Sequence, residues 1–184
     1  MTGLIVVALL GGLLLWAVLL FNRLVRERNQ VRAAWSDIDV QLTRRHDLVP
    51  QLVEAVKAYA GYERATLVAV TELRARAEET ASLPDKARLE DAMEAGLHRL
   101  IALAESYPEL KADENFLQLQ RDLVETEDYL QYARRFYNGA VRIYNTRIQS
   151  FPDMLVAGLF AFRPAAFFAV DEAEVRAVPR VELG

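Results

Sequence analysis

The chain has 184 residues, a formal net charge of -4 and no cysteine. The slight acidic excess excludes the strongly basic surface that general nucleic-acid binding needs, and the lack of cysteine excludes disulfides and thiol nucleophiles. Hydrophobic residues make up 53% of the chain, enough for a membrane span and one compact core, so we expect a single soluble domain beside the span.

The first 22 residues are typical of a membrane anchor. No charged side chain occurs from Thr2 to Asn22. Coiled as an α-helix, such a stretch matches the roughly 30 Å hydrocarbon core of a bilayer. A cleaved signal peptide would need a basic start and small residues at a cleavage site, whereas the bulky Leu19–Phe21 stand there. We therefore predict a single transmembrane helix over residues 1–22.

Arginines crowd the carboxyl side of this span, at Arg23, Arg26, Arg28 and Arg32. The positive-inside rule keeps such a basic flank in the cytoplasm. We expect a short amino terminus outside the cell and the rest of the chain in the cytoplasm.

Four stretches with helical periodicity follow, separated by prolines at positions 50, 84, 108 and 152. Because proline lacks the backbone N–H, we expect the first helix to end near Pro50. Exposed turns are expected at 80–84 and 107–113. The apolar stripes of the first three stretches are Val31, Trp35, Ile38, Leu42 and Val49; Leu52, Val56, Tyr59, Leu67 and Val70; and Leu89, Met93, Leu97 and Leu100.

The fourth stretch runs from Glu114 to about Gln149 and would form a helix about 54 Å long. Its apolar positions alternate threes and fours, as in a coiled coil. Long helices joined by short connections normally lie antiparallel. The fold class predicted is therefore all-α, an antiparallel four-helix bundle over residues 23–152. The expected core stripe is Phe116, Leu119, Leu123, Thr126, Leu130, Ala133, Tyr137, Ala140 and Tyr144.

The last helix returns to the membrane in this arrangement, and its end is basic. No acidic residue lies between Asp128 and Asp153. The same stretch contains Arg134, Arg135, Arg142 and Arg147. These cations can stabilise the carboxyl end of the helix through its dipole, or attract anionic lipid head groups. Because the fourth helix returns to the bilayer in this arrangement, Arg134 and Arg147 are candidate membrane-proximal residues.

An apolar segment, residues 153–170, follows Pro152 and is too short to span a bilayer. It is interpreted as a strap packed on the bundle or as an interfacial segment at the membrane surface. Its candidate membrane-proximal side chains are Phe160, Phe162, Phe167 and Phe168. Residues 171–184 form a short polar tail, which we expect to be mobile.

The residues favour no catalytic or metal site. His46 is expected at the surface beside Asp47, and His98 follows Glu94 by four residues rather than the three of di-iron bundles. Glu90, Asp91 and Glu94 are interpreted as a solvated helix face. Phosphate loops, nucleophile elbows and zinc spacings are also lacking in the sequence. We expect no enzyme activity, cofactor or small-molecule substrate.

One polar stripe on the fourth helix stands out, with members three or four residues apart beside the core. It could fix the packing inside the bundle, or form an interaction surface for a second protein or a second copy of the chain. Its members are Arg135, Asn138, Arg142, Asn145 and Gln149. A second cluster, Arg44, Arg45 and Asp47, is expected at the opposite end.

Four blocks of sequence together point to a known family. They are AWSDIDVQLTRRHDLVPQLV at 34–53 with VKAYAGYE at 56–63, ENFLQLQRDLVETE at 114–127, YARRFYNGAVRIYNTRIQSFP at 132–152 and AGLFAFRPAAFF at 157–168. With these blocks, the chain resembles the LemA family of bacterial membrane proteins over nearly its full length. The resemblance implies an anchored, cytoplasmic, all-α antiparallel bundle in the bacterial inner membrane, without established enzymatic activity or catalytic residues to transfer.

Two functions are compatible with these features. The leading hypothesis is a membrane-anchored interaction or scaffold protein that presents its bundle to other proteins. The alternative is a lipid-organising protein that grips the inner leaflet through its basic helix end and its apolar segment.

Overall fold

The computed structural model describes residues 1–60 and 64–168 and contains six helices in those ranges, with no strand. The all-α prediction is confirmed. The expected mobile tail, 171–184, and the last two residues of the apolar segment lie outside the described ranges. The helices are α1 (Thr2–Tyr59), α2 (Arg64–Glu79), α3 (Leu83–Ala104), α4 (Pro108–Lys111), α5 (Glu114–Gln149) and α6 (Asp153–Leu159).

Helix α1 combines the predicted anchor and the predicted first helix of the bundle in 58 residues, a length of about 87 Å. Its first part is the one helical stretch, among the described residues, that is long and apolar enough to cross a membrane. The side chains from Leu4 to Leu15 are exposed, as expected of a surface that faces lipid. The structure is consistent with membrane anchoring.

The prediction that Pro50 ends the first helix is wrong, because α1 continues through it to Tyr59. A proline leaves the carbonyl four residues earlier without its helical donor. Here that carbonyl belongs to His46, and the Arg74 guanidinium of α2 donates a hydrogen bond to it at 2.8 Å. A neighbouring helix therefore supplies the missing donor, and the proline itself is exposed.

Helix α5 has the predicted bounds and packs along α1. Asp113 caps its start by accepting a hydrogen bond from the backbone N–H of Phe116. Residue numbers rise along one helix as they fall along the other, so the two run in opposite directions. The contacts that show this are Arg44 with Glu125, Trp35 with Tyr137, and Arg147 with Glu27.

Helices α2 and α3 form a second close pair. A methyl group added to Gly96 of α3 would lie 2.6 Å from Cγ2 of Val70 on α2, so glycine is required for this approach. The expected exposed turn at 107–113 instead contains α4, whose Leu110 is buried. The other expected turn is shorter than predicted, because α3 already begins at Leu83.

The core consists of two apolar clusters at different heights along α1. The cluster nearer the predicted anchor joins α1, α5, α6 and the start of α3, and the distal cluster joins α1, α2, α3, α4 and α5. Eight of the nine predicted core residues of α5 are buried, and Leu119 is partly exposed. Polar side chains separate the two clusters on α1, at Arg45 and His46.

Candidate functional site

A buried polar layer lies between the two apolar clusters. The Arg45 side chain is only 2% exposed, and its Nη1 lies 3.4 Å from Oε2 of Glu90, which is fully buried on α3. A second carboxylate, Glu127 of α5, receives a hydrogen bond from Nη2 of the same guanidinium. Nε2 of His46 lies 2.7 Å from the other oxygen of Glu90. Arg45, His46, Glu90 and Glu127 thus link three helices.

Two expectations about these residues are wrong. His46 and Glu90 were expected at the surface, yet both are buried. Burial exerts the largest influence on Arg45 and lowers its pKa, while the Glu90 carboxylate opposes that shift by favouring the charged form. Since an arginine stays protonated in proteins, the layer holds a buried ion pair at neutral pH.

The polar layer is suited to fixing the packing of the helices. Each buried charge has a partner of opposite sign on another helix, so sliding α1 along α3 would leave a charge without compensation. A cleft of about 190 Å³ leads from solvent to Arg45 and is lined by Glu94, His98 and Asp128. In residues 1–60 and 64–168, no three carboxylate or imidazole groups converge to hold a metal ion.

Asn138 and Asn145, two members of the predicted polar stripe, bind the chain's own C-terminal strap, defined as residues 163–168. The Asn145 amide both accepts from the N–H of Ala165 and donates to its carbonyl, each at 2.8 Å. Asn138 forms the same pair of bonds with Phe168, at 2.9 and 3.0 Å. The two asparagine side chains therefore form the hydrogen bonds that a neighbouring β-strand would form with an extended backbone.

The spacing of the asparagines explains why an extended segment fits. Seven residues of helix cover about 10.5 Å, and three residues of extended chain cover about 10 Å, so the two periods match. Tyr137 and Tyr144 donate further hydrogen bonds to the carbonyls of Ala166 and Arg163, at 2.8 and 3.0 Å. Burial raises the pKa of both phenols. The strap is held along two turns of α5.

The other members of the stripe, Arg135, Arg142 and Gln149, are exposed at the surface. They recur every seven residues and so form an exposed row on α5, next to the two asparagines that bind the strap. This row is the part of the predicted stripe that is open to a partner.

An aromatic groove lies about a quarter turn from that arginine row, between α1 and α5. It has a volume of about 270 Å³, and the Tyr132 side chain at its rim is 66% exposed. It was not predicted from the sequence, although tyrosine and phenylalanine three or four residues apart outside the core stripe are a usable indication. Its lining is Asp37, Val40, Gln41, Tyr129, Tyr132, Ala133 and Phe136.

The candidate membrane-proximal residues divide between two heights on α1. Arg147 forms an ion pair with Glu27, and the Phe160 ring lies 4.7 Å from the ring of Phe21 at the end of the span. Phe162 also touches Phe21, at 5.7 Å between ring centroids, and the guanidinium of Arg28 lies over it. These candidates lie beside the carboxyl end of the candidate span.

Arg134 and Phe168 lie elsewhere, in contrast to the expectation. The Arg134 guanidinium binds Asp91 of α3 at 2.6 Å and covers the Phe168 ring, which is buried against Trp35. Trp35 is 14 residues beyond Phe21, or about 21 Å along α1. Both side chains therefore belong to the core of the bundle, well beyond the end of the candidate span, while Phe167 is exposed.

Comparison with known proteins connects these features to a family. The model of the LemA family matches residues 34–183. The chain is 26% identical over 158 residues to Protein LemA of Metamycoplasma hominis, covering 83% of this chain and 70% of that protein. It is 25% identical over 194 aligned positions to the magnetosome proteins MamQ 1 and MamQ 2 of Paramagnetospirillum magneticum, covering 90% of this chain and 71% of each. The family match includes the polar layer, the strap and the groove.

Proposed function

The chain belongs to the LemA family, and on that premise we propose that it is a membrane-anchored interaction protein without enzymatic activity, whose aromatic groove binds a helix of a partner protein. The helical domain is an antiparallel bundle on the cytoplasmic face of the bacterial inner membrane, with the amino terminus outside. The observation that carries the proposal is the exposure of three aromatic side chains in one groove between α1 and α5.

The height of the groove supports a protein partner rather than lipid. Val40 follows Phe21 by 19 residues, which places it about 28 Å along α1 from the end of the span. Head groups extend only several ångströms beyond the hydrocarbon core. A side chain at that height therefore meets the cytoplasm, where an exposed apolar surface usually marks a binding site for protein.

The composition of the groove supports a helical partner. Tyrosine and phenylalanine are enriched among the residues that contribute most to protein interfaces. A shallow apolar channel between two helices accepts the apolar face of a third helix. Arg135 is exposed about a quarter turn from the groove, so a partner with acidic residues beside its apolar face is favoured.

Contacts on either side of the groove support the scaffold role. The polar layer at Arg45 ties α1 to α3 and α5, and the strap stiffens α5 from Asn138 to Asn145. A surface built on helices restrained in this way loses little conformational entropy when a partner binds. The groove is thus a preorganised surface, which distinguishes it from a flexible tail.

The experiment is photo-crosslinking in intact membranes of the producing bacterium. A benzophenone amino acid replaces Tyr132 in the groove, and a control variant carries it at Arg88, an exposed position on α3. We expect discrete adducts from position 132 and none of the same mass from position 88.

A second substitution makes the result specific. Phe136→Asp places a charge in the groove at an exposed position, so it removes apolar contact without opening the core. The adducts from position 132 should then disappear. An adduct of twice the chain's mass identifies a second copy as the partner. Adducts that survive Phe136→Asp, or that form equally from position 88, contradict the proposal.

A further inference from the structure

An exposed apolar patch surrounds α6, at the opposite end of the domain from the α1–α2 turn. Its members are more exposed than is usual for large apolar side chains, with Phe151 at 76% and Leu159 at 79%. The patch consists of Phe151, Met154, Leu155, Leu159 and Phe160. It shares no residue with the aromatic groove.

Helix α6 is apolar on both of its sides. Val156 and Ala157 face the core, and Leu155 and Leu159 face away from it. Its single acidic residue, Asp153, is buried, so the outward surface carries no charge from Met154 to Phe160. A helix that is apolar all round requires cover on both sides. The core supplies one cover, and the other must come from outside the described chain.

The position of the patch identifies that cover. The Phe160 ring touches Phe21, and α6 buries Leu20 and Leu24 of α1. Phe21 ends the stretch of about 20 apolar residues that fills the hydrocarbon core. The exposed surface of α6 is therefore continuous with the exposed apolar surface of the span, at the depth where the span leaves the bilayer.

Charges around the patch suit the same location. Arg23 and Arg26 are exposed two and five residues beyond Phe21, about 3 and 8 Å along α1, at the height of the lipid phosphates. The Arg28 guanidinium lies 5.0 Å from the centre of the Phe162 ring, which gives an aromatic side chain beside a cation. An apolar surface bordered by arginine is typical of segments that lie in the membrane interface.

We infer that the apolar patch of α6 is inserted into the head-group and upper acyl region of the same leaflet from which α1 emerges. The lipid surface is the partner of this patch, and the aromatic groove remains free for a protein. The domain is then attached to the membrane at two points, the span and α6.

The lack of cysteine allows a direct test in the full chain. Single cysteines replace Leu155 and Leu159 in the patch, and each carries a nitroxide label in protein reconstituted into vesicles of zwitterionic and anionic lipid. Leu19→Cys provides the reference inside the span, and Tyr132→Cys the reference in water. Collisions with oxygen, which enters the bilayer, are compared with collisions with a water-soluble nickel chelate.

Labels at positions 155 and 159 should give an oxygen-to-nickel collision ratio close to that of position 19 and several-fold above that of position 132. Because apolar insertion is little screened by ions, the ratio should persist at high salt. All four residues are exposed, so the substitutions leave the core unchanged. Phe151→Cys, at the far end of the patch, provides an independent repeat.

Three results overturn the inference. Ratios at 155 and 159 equal to that at 132 mean that the patch faces water. Protection from both reagents means that protein covers it, and dipolar broadening between labels then identifies a second copy. A ratio that falls to the aqueous value at high salt means that the arginines alone hold the domain to the surface.

Discussion

Replacing Arg45 by methionine tests whether the polar layer is a buried ion pair or a solvated one. The substitution keeps the length and volume of the aliphatic stem but removes the cation. Glu90, which is fully buried, is then left with His46 as its neighbour. Breaking a buried pair by removing one partner costs about 3 to 5 kcal/mol, because the remaining charge stays desolvated.

The adjacent Arg44 provides a matched control. It is on the same helix and pairs with Glu125 at 2.7 Å, but its side chain is 41% exposed. Exposed pairs contribute about 1 kcal/mol or less, because water screens them. Arg44→Met and Arg45→Met therefore remove the same group from neighbouring positions and differ only in burial.

The assay is thermal unfolding of the full chain in lipid nanodiscs, followed by far-UV circular dichroism. For a domain of this size, each 1 kcal/mol lowers the melting temperature by about 2 to 4 °C. Arg45→Met should therefore lower it by about 6 to 20 °C, and Arg44→Met by about 4 °C or less.

A double variant separates the lost charge from the lost packing. Adding Glu90→Met to Arg45→Met removes the uncompensated carboxylate, and apolar replacement of a whole buried pair is often neutral or stabilising. The double variant should melt above the Arg45→Met single variant. Equal melting of the two single arginine variants, or no recovery in the double variant, refutes the reasoning.

Three further predictions use the same melting assay. Gly96→Ala should lower the free energy of unfolding by about 1 to 3 kcal/mol, because the added methyl collides with the stiff Val70 of α2. Gly139→Ala, with open space around its Cα, should raise it by up to about 1 kcal/mol. Equal shifts in the two variants would contradict the close approach of α2 and α3. Ala161 follows α6 with a φ of 53°, a left-handed conformation that favours glycine, so Ala161→Gly should stabilise the chain by up to about 1 kcal/mol, and a loss would exclude that geometry. Burial raises the pKa of Tyr137 and Tyr144, so the stability that their neutral phenols contribute is complete below the ordinary tyrosine pKa near 10. That stability is lost as pH rises through the pKa of the folded state. The melting temperature should fall above about pH 10, and less steeply in the double tyrosine-to-phenylalanine variant.

Helix α5 was predictable, from Glu114 to about Gln149, because its sequence signals are consistent along its length. Asp113 is a favourable N-cap, a single glycine occurs inside, and the apolar alternation runs without a break to Ile148. Local propensity and tertiary packing agree along this helix. Such agreement is the condition under which periodicity alone locates a helix.

The error at Pro50 arose because the partner of an orphaned carbonyl cannot be seen in sequence. A proline inside a helix is tolerated when another group replaces the lost donor, and here that group is Arg74, 24 residues away. One indication was present, since the apolar rhythm of Leu42, Val49, Leu52 and Val56 continues across the proline without a change of phase. Register is therefore a better guide than a single breaker residue.

The polar layer was missed for a different reason. Arg45 lies three residues after Leu42 and four before Val49, on the core stripe, and Glu90 lies three after Ala87 and three before Met93. A charge at such a position predicts either a local break in the core or a buried pair. Their pairing could not be predicted, because the two residues are 45 positions apart and meet only through the packing of α1 against α3.

The two proposals are coupled through the geometry of α1. A helix held only by its span tilts by about 20° on average, and a tilt of that size would move a groove about 28 Å from the pivot sideways by about 10 Å. Insertion of α6 beside Phe21 adds a second attachment near the pivot and removes this freedom in the direction of the patch. The polar layer and the strap then transmit that restraint along α1 and α5. The strap lies between the membrane and the height of Val40, and the polar layer lies just beyond Val40. A patch variant that no longer enters the lipid should therefore weaken capture of a membrane-bound partner by the groove, although the groove itself is unchanged.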